Sequence, residues 1–352
     1  MPPETTFCGK VAFMMINSKW FLLVCVIVLH GLASIVIAQD RSDDIVRIKT
    51  RVVFLDVLVK DKRTGRPITD LPRESFQVLD EGRPRNLSYF SSSKEATRPL
   101  ALVLVLDLRL GGAGRYLRQP EVIRSLAAAF AKLSPQDEIT VLATWVNGVG
   151  PTSERLIDFT HDRAKVSAAL ENVPLLIKPP VDGNEGLLST LPKIKYLAAE
   201  RPTSQLVVIY VTDDFNMMVK NMRDEYAADL LRTNTIFCLL VCDQMRFVKT
   251  GLTVFSPLFA LGGIDVHSAE YFADQTGGEK LFVHKPEDYG KALESLIGNL
   301  KARYNLGFTL PEDEPADGRL HRLEIRVKTR NKQEKESDLK VIAPKGYYLP
   351  IS

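Results

Sequence analysis

Three runs, PLALVLVLD (99–107), QLVVIYVTD (205–213) and TIFCLLVCD (235–243), are apolar almost without interruption, and each closes on an acid: Asp107, Asp213 and Asp243. Unbroken apolar character, as opposed to alternation, means that both faces of a strand are covered, the condition of a parallel sheet held between two layers of helices. The intervening segments supply those helices. Ile123, Leu126, Phe130 and Leu133, then Leu187, Leu191, Ile194 and Leu197, then Tyr289, Leu293, Leu296 and Leu300 recur at helical spacing. EITVLATW (138–145) followed by ERLIDFT (154–160) reads as a hairpin that adds an antiparallel edge, KLFVH (280–284) as a last strand, and Pro286 as part of the first turn of the last helix. Residues 98–303 are therefore predicted to form an α/β domain with a doubly wound, mainly parallel sheet.

The flanks differ in kind. Residues 44–97 hold IVRIKTRVVFLDVLVKD, a polar turn, and SFQVLDEGRPRNLSYF, where Asp80-Glu81-Gly82 marks a hairpin between alternating strands. Residues 304–350 repeat the style with YNLGFTL, HRLEIRVKTR and KGYYLP, separated by the polar turn PEDEPADG and a charged tip, Asn331 to Asp338, read as a solvated loop. Each flank is near the lower size limit for independent stability. The two are expected to pair as one β-sandwich, with the α/β domain inserted between its halves.

Ahead of these lies WFLLVCVIVLHGLASIVIA (20–38), nineteen residues without a formal charge, preceded by Lys10 and Lys19. Val36 and Ala38 suit a signal-peptidase site, so residues 1–38 read as a signal peptide and the folded part as exported, periplasmic or secreted. The alternative is an uncleaved anchor, which the length also permits. Cleavage removes Cys8 and Cys25. Cys238 and Cys242 remain, about 13 Å apart along one strand, against the roughly 4.4–6.8 Å between Cα atoms that a disulfide needs. They read as buried small hydrophobes. With 46 Lys plus Arg against 43 Asp plus Glu, the chain lacks the basic excess of a nucleic-acid binder.

Ligands of an open α/β sheet bind beyond the carboxyl ends of its strands, where Asp107 and Asp213 stand. Gly112-Ala113-Gly114 is followed by Leu117, so no dinucleotide fingerprint forms, and the phosphate-loop, nucleophile-elbow and His-Glu-x-x-His motifs are missing. His161, His267, His284 and His321 are scattered and read as surface or loop residues; Trp145 and the Tyr347-Tyr348 pair read as packing residues.

This order of elements, with VVFLDVLVKDKRTGRPITDLPRESFQVLDEGRPRNLSYFS before it and YNLGFTLPEDEPADGRLHRLEIRVKTR and KGYYLP after it, resembles the von Willebrand factor type A domain and, more closely, the VWFA-related domain proteins of Acidobacteria. The resemblance implies a binding or adhesion module whose metal-ion-dependent adhesion site opens with Asp-x-Ser-x-Ser. Here that motif reads Asp107-Leu108-Arg109-Leu110-Gly111, so the acid is kept and both hydroxyls are gone. The family's loop threonine matches Glu185 in DGNEGLL, and its later aspartate matches Asp213, with Asp214 in place of the usual glycine. Mg²⁺ asks for near-octahedral oxygens, and a guanidinium at 109 opposes a dication. The expectation is a metal-independent cleft built from Asp107, Arg109, Gly111, Glu185, Asp213 and Asp214, which binds a protein or peptide partner and catalyses nothing. The alternatives are an Mg²⁺ or Mn²⁺ site on Asp107, Glu185 and Asp213, or a hydrolase that also uses Asp214.

If Ala38 precedes the cleaved bond, protein recovered from its native compartment begins at Gln39. Intact-mass measurement of the membrane fraction checks this; residues 1–38 retained there would establish the anchor instead.

Overall fold

A computed structural model of the chain describes residues 51–92, 95, 98–109, 113–147, 150–176, 186–213, 215–242, 262–315, 317–328 and 338–349. The apolar segment 20–38 read as a signal peptide, Gly111, Glu185, Asp214, Asp243 and all of the charged tip but Asp338 lie outside them. In chain order come β1 (Arg51–Asp61), β2 (Phe76–Asp80), β3 (Arg83–Arg85), β4 (Leu87–Ser91), β5 (Leu100–Asp107), α1 (Pro120–Phe130), β6 (Glu138–Asn147), β7 (Gly150–Thr160) and α2 (Arg163–Glu171). Then follow α3 (Leu191–Glu200), β8 (Gln205–Thr212), β9 (Met218–Val219), α4 (Lys220–Arg232), β10 (Ile236–Cys242), β11 (Ile264–Asp265) and α5 (Ser268–Thr276). The chain closes with β12 (Lys280–Val283), α6 (Asp288–Lys301), β13 (Tyr304–Leu310), β14 (Leu320–Val327), β15 (Leu339–Ile342) and β16 (Gly346–Tyr348).

The α/β region is a six-stranded sheet in the order β12-β10-β8-β5-β6-β7, parallel except for the hairpin edge β7. Every residue of β5, β8 and β10 is buried, as their unbroken apolar runs require. Leu102, Leu104 and Leu106 of β5 face one helical layer with Ile123, Leu126, Val166, Leu293 and Leu296 from α1, α2 and α6. Ala101, Val103 and Val105 face the opposite layer with Leu191, Ile194, Leu230 and Phe272 from α3, α4 and α5. Cys238 and Cys242 are buried free thiols in β10.

The flanks interleave. One four-stranded sheet runs β15-β1-β13-β4 and the other β16-β14-β2-β3, so each takes strands from both ends of the chain. β1 pairs antiparallel with β13 from Arg51↔Leu310 to Val57↔Tyr304, and β14 pairs with β2 from Leu323↔Asp80 to Val327↔Phe76. Their inner faces share one core that includes Leu55, Val57, Val78, Leu306 and Phe308. Tyr304, fully buried, is its pivot: its ring lies 4.8 Å from that of Phe76 and 6.0 Å from that of Phe90. Its hydroxyl donates to the Ile68 carbonyl and accepts the Leu71 N–H, both at 2.9 Å. The β2–β3 turn has positive φ at Glu81 (50°) and Gly82 (76°), the twist that a two-residue hairpin demands.

The two regions meet around Arg303, whose Nη2 donates to the Gly277 carbonyl at 2.8 Å and Nη1 to the Asp56 carbonyl at 3.3 Å. Lys60 pairs with Glu279 at 2.9 Å. Gly277 ends α5 at φ 70°, and a Cβ there would fall 2.5 Å from the Ala343 carbonyl carbon, so only glycine permits this approach.

Two sequence readings need correction. His321 is neither a surface nor a loop residue: it is wholly buried in β14, stacked on Tyr347 at 4.9 Å, with Nε2 3.3 Å from Asp317. Alternation in HRLEIRVK places it on the inner face, where a neighbouring ring and a carboxylate accommodate the imidazole. Pro286 lies in the turn before α6, two residues short of the helix, which starts at Asp288. Among the described residues no helix is long and apolar enough to cross a membrane.

Tyr304→Ala is expected to destabilise the protein by about 3–5 kcal/mol through the cavity it leaves. Tyr304→Phe is expected to cost about 0.5–1.5 kcal/mol, because the half-buried Leu71 N–H loses its acceptor and the Ile68 carbonyl its donor. Urea unfolding followed by circular dichroism measures both.

Candidate functional site

The carboxyl ends of β5 and β8 lie side by side, with Leu106 opposite Val211. From β5 the chain turns to β6 on one side, while β8 lies on the other, so the crevice where strand order reverses opens between them. The parallel register brings Asp107 and Asp213 to its floor, wholly buried and 2% exposed respectively.

Arg109, 6% exposed, reaches back over both acids. Its Nε lies 2.8 Å from Asp107 Oδ1 and 3.0 Å from Oδ2, its Nη2 donates to Asp107 Oδ2, and the same Nη2 reaches Asp213 Oδ1 at 3.0 Å. Nη1 donates to the Phe215 carbonyl at 3.1 Å. This is a forked guanidinium–carboxylate pair with a second acid on its outer prong. Burial works against the charged form of Arg109, but the charge of Asp107 and its hydrogen bonds, backed by Asp213, hold the guanidinium's pKa above its ordinary value.

The remaining oxygens are also engaged. Asp107 Oδ2 accepts from the Thr212 hydroxyl at 3.2 Å, and Asp107 Oδ1 from the Arg109 N–H at 3.2 Å. The Tyr210 hydroxyl lies 3.3 Å from Asp107 Oδ2 and 3.2 Å from Asn216 Oδ1, and its single proton serves one of them at a time. Burial, with the charge of Asp107 behind it, pushes the Tyr210 pKa well above its usual value, so it stays a neutral donor. Asp213 Oδ1 accepts the Phe215 N–H at 3.0 Å, which fixes the turn after β8. On the other side, the Leu108 N–H donates to the Thr144 carbonyl at 2.8 Å, and the Thr144 hydroxyl donates to the Gly186 carbonyl. A Cβ on Gly186 would stand 3.2 Å from Thr144 Oγ1 and 3.8 Å from Arg109 Nε, so the Gly186–Ser189 turn closes against the guanidinium.

Of the six residues expected to form the cleft, Asp107, Arg109 and Asp213 come together, while Gly111, Glu185 and Asp214 lie outside the described residues. The sequence reading missed Thr144, Tyr210, Thr212 and Asn216. Tyr210 and Thr212 sit inside an apolar strand and read as core; the available signal was that a buried tyrosine hydroxyl needs a partner. Among the described residues no group of three or more His, Cys, Asp or Glu is placed to hold a metal ion. A dication on Asp107 and Asp213 would lie against the guanidinium, so this donor set does not fit one without Arg109 moving away.

No protein-family model matches the chain, and no curated protein matches its sequence. Among solved structures it is similar to a von Willebrand factor type A protein from Catenulispora acidiphila, with a TM-score of 0.43 and 10% identity over 76% of this chain and 72% of that one. It is also similar to the VWA domain of SpRpn10 (TM-score 0.37, 9% identity, 57% and 94% covered) and to the vWF domain of the type V pili tip protein Mfa5 from Porphyromonas gingivalis (TM-score 0.26, 21% identity, 35% and 40% covered). At such values the fold assignment rests on the strand order and register above.

Arg109→Ala strands two buried carboxylates and is expected to cost about 3–5 kcal/mol at neutral pH. Thermal melts of the variant and the parent protein at pH 7 measure the deficit.

Proposed function

We propose that this chain is an exported, non-enzymatic binding module which takes a protein or peptide partner at the upper end of the α/β sheet and does so without a metal. The reading rests on one observation: the guanidinium of Arg109 occupies both oxygens of Asp107 and one of Asp213, where a bridging cation would need them. A metal-dependent adhesion site holds a partner's carboxylate on an open coordination position. Arg109 offers no such position, so recognition falls to the shape and hydrogen bonds of the loops around the crevice.

The same bonds argue against the hydrolase. A general base must have a free lone pair directed at its proton, and Asp107 spends its oxygens on Arg109, Thr212 and Tyr210 inside the fold. The role of the β-sandwich in this reading is that of a spacer that carries the α/β domain. The resemblance noted in the sequence supports the adhesion class, and the segment 20–38 supports export.

Melting temperature is expected to be unchanged by millimolar Mg²⁺, Mn²⁺ or EDTA, and titration calorimetry with either ion to give no stoichiometric site. A one-to-one Mg²⁺ or Mn²⁺ isotherm, abolished by Asp107→Ala, would replace this reading with the metal-dependent alternative. Arg109→Ser combined with Gly111→Ser and Glu185→Thr is the control expected to gain a metal response.

A further inference from the structure

The strand β1 is covered unevenly. On one side it pairs with β13 from Arg51 to Val57, but on the other it pairs with β15 only from Leu58 to Asp61. Arg303 takes the Asp56 carbonyl. Arg51 to Leu55 thus present an open edge about 13 Å long, whose outward backbone groups meet no partner strand among the described residues. Proteins blunt such edges with lysines, prolines or short strands, yet RVVFL carries one arginine and no proline.

This edge forms one wall of a groove of about 400 Å³, a volume suited to a ligand. The chain from Gly346 to Leu349 and the end of α4 also line it. The charged residues that line it are Arg51, Arg98 and Arg232, with no acid among them. Arg51 and Arg98 spend their bonded N–H groups on uncharged oxygens: Arg51 on the Pro311 and Glu314 carbonyls, Arg98 on the Ser204 carbonyl and the Gln205 side chain. Arg232 lies over the Tyr348 ring at 4.4 Å and gives one N–H to Asp229. Phe54, 51% exposed, is also a lining residue, and its ring lies edge-on to that of Tyr89 at 5.6 Å.

We infer that this groove receives an extended acidic peptide segment of a partner protein, added as a further strand to the Arg51–Leu55 edge. The edge supplies main-chain hydrogen bonds, and the three arginines select alternate acidic side chains. A second copy of this chain is a poor occupant, since it would bring its own arginines to the same groove. The site is separate from the crevice at Asp107 and stands whether or not that crevice binds a partner.

The test is fluorescence anisotropy of a labelled eight-residue peptide alternating glutamate and valine, titrated with the full chain. Saturable binding is expected, weakened about tenfold or more by Arg98→Glu with Arg232→Glu, exposed positions whose replacement leaves the circular dichroism spectrum as a check on folding. A lysine–valine peptide is expected not to bind. In an added strand, alternate amides face the edge, so of two peptides N-methylated either at every valine or at every glutamate, one should lose binding about tenfold and the other keep it. Absence of saturable binding, equal binding of the lysine peptide, or equal behaviour of the two methylated peptides would overturn the proposal. So would dimerisation of the chain that the acidic peptide fails to dissociate.

Discussion

A carboxylate taken wholly out of water needs a cation it can touch, and the upper end of the α/β sheet is arranged around that requirement at Asp107. Arg109 meets it from two residues away in sequence, a spacing that lets the side chain fold back over the acid from which the loop departs. The same Nη2 that bonds Asp107 also reaches Asp213 at the end of the neighbouring strand, and Nη1 takes the Phe215 carbonyl, so one side chain ties together the ends of β5 and β8. Thr212, Tyr210 and Asn216 then complete the donors and acceptors around the pair. A buried ion pair with every partner satisfied fixes geometry more than it adds stability. Here it fixes the position from which the crevice loops depart.

The parts of this arrangement that the sequence revealed are those governed by one-dimensional patterns. Unbroken apolar runs identified β5, β8 and β10, and the acids Asp107 and Asp213 marked the carboxyl ends of two of them. The guanidinium two residues after Asp107 was visible as chemistry before any coordinate. What the sequence did not show depends on which strands lie side by side. Tyr210 is three residues from Asp213 in the chain and reads as one more large apolar residue; only the β5–β8 register brings its hydroxyl to Asp107. His321 was misjudged for the same reason, since the ring that accepts it, Tyr347, comes from a strand later in the chain. The pairing of the two flanks was inferable from their shortage of core, whereas the offset that leaves Arg51 to Leu55 uncovered was not.

The interleaving of β1, β13 and β15 in one sheet and β2, β14 and β16 in the other also has a consequence for the order of assembly. Asp56 and Arg303, which touch where the sandwich meets the α/β region, are 247 positions apart in the chain. Closing so long a loop in an unfolded chain is entropically unfavourable and slow to search. The α/β region removes most of that cost, because Arg98 and Leu100 at its entry and Arg303 and Asn305 at its exit line the same small cavity. Once the parallel sheet is folded, its two ends stand next to each other and deliver β4 and β13 side by side, the pair on which β1 then docks. The sandwich is thus an assembly whose halves are brought together by the domain between them. During synthesis β1 must wait for its partner until the α/β region and β13 have left the ribosome.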